Sequence, residues 1–468
     1  MHSPTPLPPT VLPVPVGAMR QLVQSGVTRT PAWRQTQLQR LDTLLRQHED
    51  ALIAALASDL GKPALEAATE LLLVRQELRL CRRQLRRWMA PRPLPLALHL
   101  QPGKAWQQAE PLGCVLIISP WNYPLQLCLQ PLVNALAAGN TAVLKPSEQA
   151  PATARLLGTL LEDTFDAEVV QVVQGDSSTA AALLEQRFDH IVFTGSGRVG
   201  HLVLAAAARH LTPVTLELGG KSPAIVLADA AMAVTARRLI WGKGYNAGQT
   251  CVAPDYLLVQ RSVQAPLLAA LRQEHRRLYG ATPLSSPDLA AIVNQAQFER
   301  LDTLLQQAHA RGQVLIGGGC DPVRRRMEPT VVQVSSGEDP LLQDELFGPI
   351  LPVLAVDDLA DALAFINARP QPLALYLFCQ NETAQQHTLS GTRSGTVVIN
   401  DVILQASDAN LPFGGVGPSG MGRYHGQAGF DSLSHLRTVL QRPTWGDVPL
   451  RYPPYGTRGL ALMRRLLG

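Results

Sequence analysis

From Leu112 to about Asn400 the chain alternates short apolar runs with longer helical ones, and no other feature of the sequence restricts the fold as strongly. Residues 114–119, 141–145, 169–174 and 190–194 read as strands, with helical patterns at 125–138, 152–163 and 198–210. Strands without polar alternation are buried on both faces, which calls for a parallel sheet covered by helices on each side. A second set begins at Val214, with strands expected at 224–227, 256–259, 350–356, 374–378 and 396–399 and helices at 263–279, 295–310 and 359–368. The expected class is α/β, with two units of similar size joined near residue 214. Ligands of such sheets bind beyond the carboxyl ends of the strands, so a cleft between the units is the natural site.

The flanking segments read differently. Residues 1–17, with a proline-rich start and no periodicity, form a flexible leader. From Ala18 to about Met89 the pattern is helical, broken near Thr30-Pro31 and Gly61-Lys62-Pro63. Arg75, Arg79, Arg82, Arg83, Arg86 and Arg87 line its last helix; they suit a solvated face better than a nucleic-acid stripe, because Trp88 is the one aromatic nearby for base stacking. Extended runs around Pro102-Gly103 read as a hairpin, either an arm towards a partner subunit or a plain surface feature. A net charge of +4 over 468 residues gives no general case for nucleic acid. Six cysteines at 81, 114, 128, 251, 320 and 379 have neither metal-ligand spacing nor a disulfide framework, and read as reduced intracellular thiols. With no signal-peptide pattern and no run long enough to span a membrane, the expected location is cytoplasmic.

Cys251 stands apart from the other thiols. It ends the turn Tyr245-Asn246-Ala247-Gly248-Gln249-Thr250-Cys251, after a helical run that stops near Gly242 and before a strand-like run at 256–260. Cys379, inside an apolar run, is by contrast a packing residue. A thiol presented on a loop held at both ends is a candidate nucleophile. Glu217, between Leu216 and Leu218 and before Gly219-Gly220, is a candidate general base if burial raises its pKa; it equally reads as a hinge carboxylate accepting backbone hydrogen bonds. Asn122, in Ser119-Pro120-Trp121-Asn122-Tyr123-Pro124, is aimed by its flanking prolines at a developing oxyanion or at the cap of the next helix. Gly195, Gly197 and Gly200 have the spacing of a dinucleotide fingerprint between a strand and a helix, where small residues let a phosphate reach free amides. Lys145 and Glu148 end another strand and suit ribose hydroxyls, or form a surface ion pair. Glu345 and Phe347, in Glu345-Leu346-Phe347-Gly348-Pro349, read at this stage as a surface charge and a core ring.

Together these segments resemble the aldehyde dehydrogenase superfamily. The resemblance rests on Pro120-Trp121-Asn122-Tyr123-Pro124, Lys145-Pro146-Ser147-Glu148, Phe193-Thr194-Gly195-Ser196, Glu217-Leu218-Gly219-Gly220-Lys221, Gly248-Gln249-Thr250-Cys251 and Glu345-Leu346-Phe347-Gly348-Pro349, in the family's order over roughly residues 18–440. Gly420-Met421-Gly422-Arg423-Tyr424-His425-Gly426, then Phe430 and Ser434-His435, is similar to the class 3 branch of fatty, aromatic and coniferyl-type enzymes. So is Arg451-Tyr452-Pro453-Pro454-Tyr455.

The resemblance implies a Rossmann-type parallel-sheet dinucleotide-binding domain at 18–90 and 112–213 and an α/β catalytic domain at 214–400. It further implies a β-hairpin oligomerisation arm at 91–111 and 401–440, a tail at 441–468 and a homodimer. The implied reaction is NAD- or NADP-dependent oxidation of an aldehyde to its carboxylic acid. Cys251 attacks as a thiolate, Asn122 and the Cys251 N–H hold the oxyanion, and Glu217 activates the water that hydrolyses the thioester. Lys145 and Glu148 serve the adenine ribose, Ser196 with Gly195 and Gly200 a phosphate, and Glu345 with Phe347 the nicotinamide ribose and ring; Trp121 joins the cofactor set. Arg198 favours a 2′-phosphate and Glu148 opposes one, so both cofactors stay open. The branch suits a medium- or long-chain, aromatic or apocarotenoid aldehyde, with Tyr123 and Trp241 as candidate pocket residues. Rival readings are a coenzyme A-dependent acylating enzyme, which needs no base such as Glu217, and a non-catalytic protein on the same fold. The basic, leucine-rich tail suits weak contact with a membrane surface or packing on protein.

Overall fold

A computed structural model describes residues 14–447, 451–455 and 457–466. Its framework is two sheets. The first has six strands in the spatial order Gly420–Met421, Val214–Glu217, His190–Thr194, Cys114–Ile118, Thr141–Lys145 and Val170–Val172. All its pairings are parallel except that of the short outer strand Gly420–Met421. The second has seven strands in the order Val314–Ile316, Thr330–Val334, Ile350–Val356, Tyr256–Gln260, Pro223–Val226, Ala374–Phe378 and Thr396–Ile399. It is parallel apart from the edge strand Val314–Ile316.

The unbroken apolar runs become central strands because they have cores on both faces. Along Cys114–Ile118, Val115 and Ile117 enter one cluster with the helices Pro31–Gln47 and Ala64–Met89, while Cys114, Leu116 and Ile118 enter another with Met19 and Val203. Along Ala374–Phe378 the odd residues Leu375 and Leu377 likewise face away from Ala374, Tyr376 and Phe378. Opposite faces for successive residues follow from the strand's period of two.

Three boundaries differ from the sequence expectation. Val214–Glu217 pairs with His190–Thr194, so it belongs to the first sheet and the junction falls after Glu217 rather than at 214. Four residues are too few to display the pattern of their sheet. Within 401–440, only Ser434–Gln441 joins the hairpin strands Arg92–Leu94 and Lys104–Pro111, as a three-stranded sheet. The stretch before it turns back over Cys251, where Phe413 and Tyr424 form an isolated antiparallel bridge. Of the leader expected at 1–17, residues 1–13 lie outside the described ones, whereas Val14 and Val16 are buried on the first sheet. Among the described residues, no helix is long and apolar enough to cross a membrane.

Candidate active site

Cys251 lies between the two sheets, on the turn joining the helix Met232–Gly244 to the strand Tyr256–Gln260. Asn246, Ala247 and Gly248 take left-handed backbone angles, φ 51°, 52° and 72°. A Cβ on Gly248 would run into the Gly348 carbonyl, so both the angle and the close approach demand glycine there. The buried Gln249 side chain fixes the turn: Nε2 donates to the Asn246 and Ala291 carbonyls, each at 3.0 Å, and Oε1 accepts from the Val293 N–H at 2.9 Å. Tyr376 donates its hydroxyl to the Val252 carbonyl on the far side of the thiol.

The thiol is half-buried at a cavity of about 490 Å³. Its lining is mostly apolar and aromatic, with Leu127, Ile403, Phe413 and Tyr424 among its residues. Tyr123 and Trp241, both expected there, line it too. Burial, aided by the charges of Glu345 and Glu217, pushes the thiol up to about 12. Attack as a thiolate therefore requires the thiol to give up its proton against the low dielectric of the site.

Glu217 ends its strand fully buried, and neither carboxylate oxygen has a hydrogen-bond partner. Desolvation therefore drives its pKa well above the ordinary carboxylate range. A hinge carboxylate gripping backbone amides is not what the geometry contains. Asn122 does not cap the helix Gln126–Ala138; its amide donates to the Gln249 carbonyl at 3.1 Å, two residues from the thiol.

The other expected residues cluster along the carboxyl ends of the first sheet. Lys145 is buried and donates to Glu148 at 2.6 Å, while Glu148 is partly open to solvent, so the pair lies at the edge of the cleft. Ser196 is exposed at the start of the helix Gly197–Ala208 and makes no side-chain cap bond. Gly197 faces open space, but a Cβ on Gly195 would lie 2.6 Å from the Phe193 ring and one on Gly200 2.7 Å from Leu218. Gly200 thus lets the helix pack closely on Leu218, the place of the last glycine in a dinucleotide fingerprint. Trp121 and Phe347 meet edge to face at 5.4 Å, with Phe347 at φ 50°. Glu345 is no surface charge: it packs on Gly219 and accepts from the Gly220 N–H, and burial followed by the charge of Asp255 raises it to about 8. Asp255 itself bridges Lys221 at 2.7 Å and Lys243 at 3.1 Å.

Several supporting residues escaped the sequence reading. Lys62 was visible only as part of a helix break, and Glu66 and Glu70 look like ordinary helix carboxylates, yet all three reach the loops carrying Asn122 and Cys251. Tyr424 lies near enough to Glu217 and Cys251 for both to act on its hydroxyl. Chain separation hid these contacts.

Two parallel-sheet units meeting over a loop thiol, with a bare buried carboxylate near it, define a two-domain α/β protein with a cysteine site in its cleft. The aldehyde dehydrogenase family model matches residues 18–439. Aldehyde dehydrogenase family 3 member H1 of Arabidopsis thaliana is 43% identical over 97% of this chain and 94% of its own length. The substrate-bound structure of Staphylococcus aureus AldH superposes with a TM-score of 0.93 at 39% identity, covering 97% of this chain and 98% of that one. A mutant of Pseudomonas syringae AldA, an indole-3-acetaldehyde dehydrogenase, solved with NAD+ and IAA, superposes at 0.82 with 28% identity, covering 92% and 88%. The chain belongs to the aldehyde dehydrogenase family, in its class 3-like branch, and is an enzyme of aldehyde oxidation.

Proposed function

We propose that this enzyme oxidises medium- or long-chain or aromatic aldehydes to carboxylic acids, using NAD or NADP, with Cys251 as nucleophile, Glu217 as base and Asn122 as oxyanion donor. The observation that carries the reading is the Glu217 carboxylate: fully buried, without a partner, and close enough to raise the Cys251 thiol electrostatically. An unsatisfied buried carboxylate is costly, and strongly perturbed carboxylates cluster at sites that use them.

The residues present fit a dinucleotide. The open start of the helix Gly197–Ala208 offers amides to a phosphate beside Gly195 and Ser196, and the Lys145–Glu148 pair offers both a donor and an acceptor to a ribose. Glu345 would hold the second ribose, and the Trp121–Phe347 ring pair would flank the nicotinamide. When bound, the dinucleotide supplies the hydride acceptor. The protein does the rest. Cys251 gives its proton to water and its sulfur bonds to the aldehyde carbon, giving a tetrahedral oxyanion held by the Asn122 amide and the Cys251 N–H. After loss of hydride from that carbon, the acyl group remains on sulfur as a thioester. Glu217 then takes a proton from a water molecule as the water oxygen bonds the acyl carbon; the C–S bond breaks, that proton passes to the Cys251 sulfur, and the acid is released. The cavity's apolar lining supports a hydrophobic aldehyde.

The test is reduction of NAD and of NADP over an aldehyde panel by wild type, Cys251→Ala and Glu217→Gln. Loss of all turnover in Cys251→Ala is expected. Glu217→Gln is expected to keep a single-turnover burst while steady-state turnover falls about 10²- to 10⁴-fold. Turnover that survives loss of Cys251 overturns the mechanism, and thioester release by coenzyme A at the wild-type rate in Glu217→Gln favours the acylating alternative.

A further inference from the structure

The helix Ala64–Met89 begins beside the cleft; Glu66 and Glu70 stand one turn apart on it, and Lys62 lies just before its first residue. Each reaches a different piece of backbone. Lys62 Nζ donates to the Asn122 carbonyl at 2.8 Å and lies 4.1 Å from the centre of the Tyr123 ring, while also pairing with Glu70. The second Glu70 oxygen accepts the N–H groups of Leu125 at 3.1 Å and Gln126 at 3.0 Å, where the next helix starts without a side-chain cap of its own. Glu66 accepts the N–H of Asn246 at 2.9 Å. Asn246 passes the connection on, its amide donating to the Asn122 carbonyl at 2.9 Å and the Gln249 carbonyl at 3.1 Å.

Both loops of the proposed chemistry are therefore gripped by the first turns of one helix and the residue that leads into it. The side chains of Lys62 and Glu70 are almost wholly buried, so neither bond is shared with bulk water. Asn246 and Ala247 sit in the left-handed region, which non-glycine residues occupy only where surrounding contacts impose it. The Glu66 bond to the Asn246 N–H is one such contact. Folding alone does not require two loops from different domains to share one support. A site that must hold an amide donor to within about 0.5 Å of its working position relative to a sulfur does.

We propose that Lys62, Glu66 and Glu70 are positioning residues that set the Asn122 amide against Cys251, and so govern the rate of acyl transfer rather than aldehyde affinity. The proposal rests on the reading of Cys251 and Asn122 given above. Lys62→Met removes the donor to Asn122 and keeps the apolar stem; Glu66→Leu removes the acceptor for Asn246; Glu66→Gln keeps an acceptor oxygen there. Active sites are counted by the pre-steady-state burst, so that misfolded enzyme drops out of the comparison.

Per active site, kcat is expected to fall about tenfold or more in Lys62→Met and in Glu66→Leu, with KM for the aldehyde within about threefold of wild type. Glu66→Gln is expected to recover most of the rate lost in Glu66→Leu. Lys62→Met leaves Glu70 buried without its partner; if that variant does not fold, the Glu66 pair carries the test alone. Wild-type kcat per active site in both Lys62→Met and Glu66→Leu overturns the proposal, as does a loss in Glu66→Leu that glutamine does not recover. Cys251→Ala run alongside keeps the two readings apart: its activity tests the nucleophile, and the positioning role fails separately if Cys251 is essential while these variants are silent.

Discussion

The Lys145 ammonium donates to Glu148 at 2.6 Å across the end of the strand Thr141–Lys145, with the lysine buried and the glutamate about one-third exposed. That carboxylate stands where the reading above puts the adenine ribose. On that proposal it would accept from ribose hydroxyls and repel a 2′-phosphate, while Lys145 would attract one.

Glu148→Gln is accordingly expected to raise the NADP-to-NAD ratio of kcat/KM about tenfold, chiefly through KM for NADP. Steady-state kinetics with each cofactor check it. An unchanged ratio would show that the pair does not sense the 2′ position.

The Cys251 thiol, raised to about 12 by burial and two carboxylates, gives a pH prediction for the free enzyme. Only the thiolate is alkylated, and its fraction grows about tenfold per unit below the pKa. Inactivation by iodoacetamide is expected to accelerate about tenfold per pH unit from 6 to 9 with no plateau. A plateau near pH 7 would mean an acidified thiol and a different proton balance.

Asp255 is buried between Lys221 and Lys243 and also accepts the Leu346 N–H at 3.2 Å. Asp255→Ala strands the buried Lys243 ammonium without its counter-charge. The expected loss is about 3–5 kcal/mol of stability, read as a lower urea midpoint. A midpoint close to wild type would show that the two lysines find other partners.

Glu77 is fully buried, accepts from Asn134 at 2.6 Å and the Gly426 N–H at 2.7 Å, and has one oxygen without a partner. Burial raises its pKa from 4.5 to about 7. A carboxyl with a raised folded-state pKa holds its stabilising proton below the unfolded value, and that contribution is lost as pH rises through the folded one. Glu77→Gln does not titrate. Its stability relative to wild type is expected to improve by up to about 3 kcal/mol between pH 5 and 8, measured by urea unfolding at each pH. A difference independent of pH would place the ionisation elsewhere.

Much of this protein was legible before any coordinates. Doubly buried strands such as Cys114–Ile118 and Ala374–Phe378 announce a parallel sheet because water touches neither face. The stretches around Asn122, Lys145, Gly195, Glu217, Cys251 and Glu345 carry the family resemblance because each sets its polar or glycine residues at a strand end or on a loop within a short run of sequence. Local chemistry of that kind is written in adjacent residues.

What adjacency cannot express was decided by tertiary packing. Val214–Glu217 joined the first sheet because a parallel partner was waiting on His190–Thr194, and Gly200 became a packing glycine because Leu218 fills the space above it. The protonation of Cys251 depends on burial and on Glu217 and Glu345, 34 and 94 residues away in sequence by position (251 − 217 and 345 − 251). In sequence Lys62 is part of a helix break and Glu66 and Glu70 look like helix surface, yet all three support the site, since only the fold brings the Asn122, Leu125 and Asn246 backbones within hydrogen-bond reach of them. Hydrogen bonds and desolvation act over a few ångströms in space, whatever the distance along the chain, and that is why the fold and motifs could be read from the sequence while the electrostatics of the site could not.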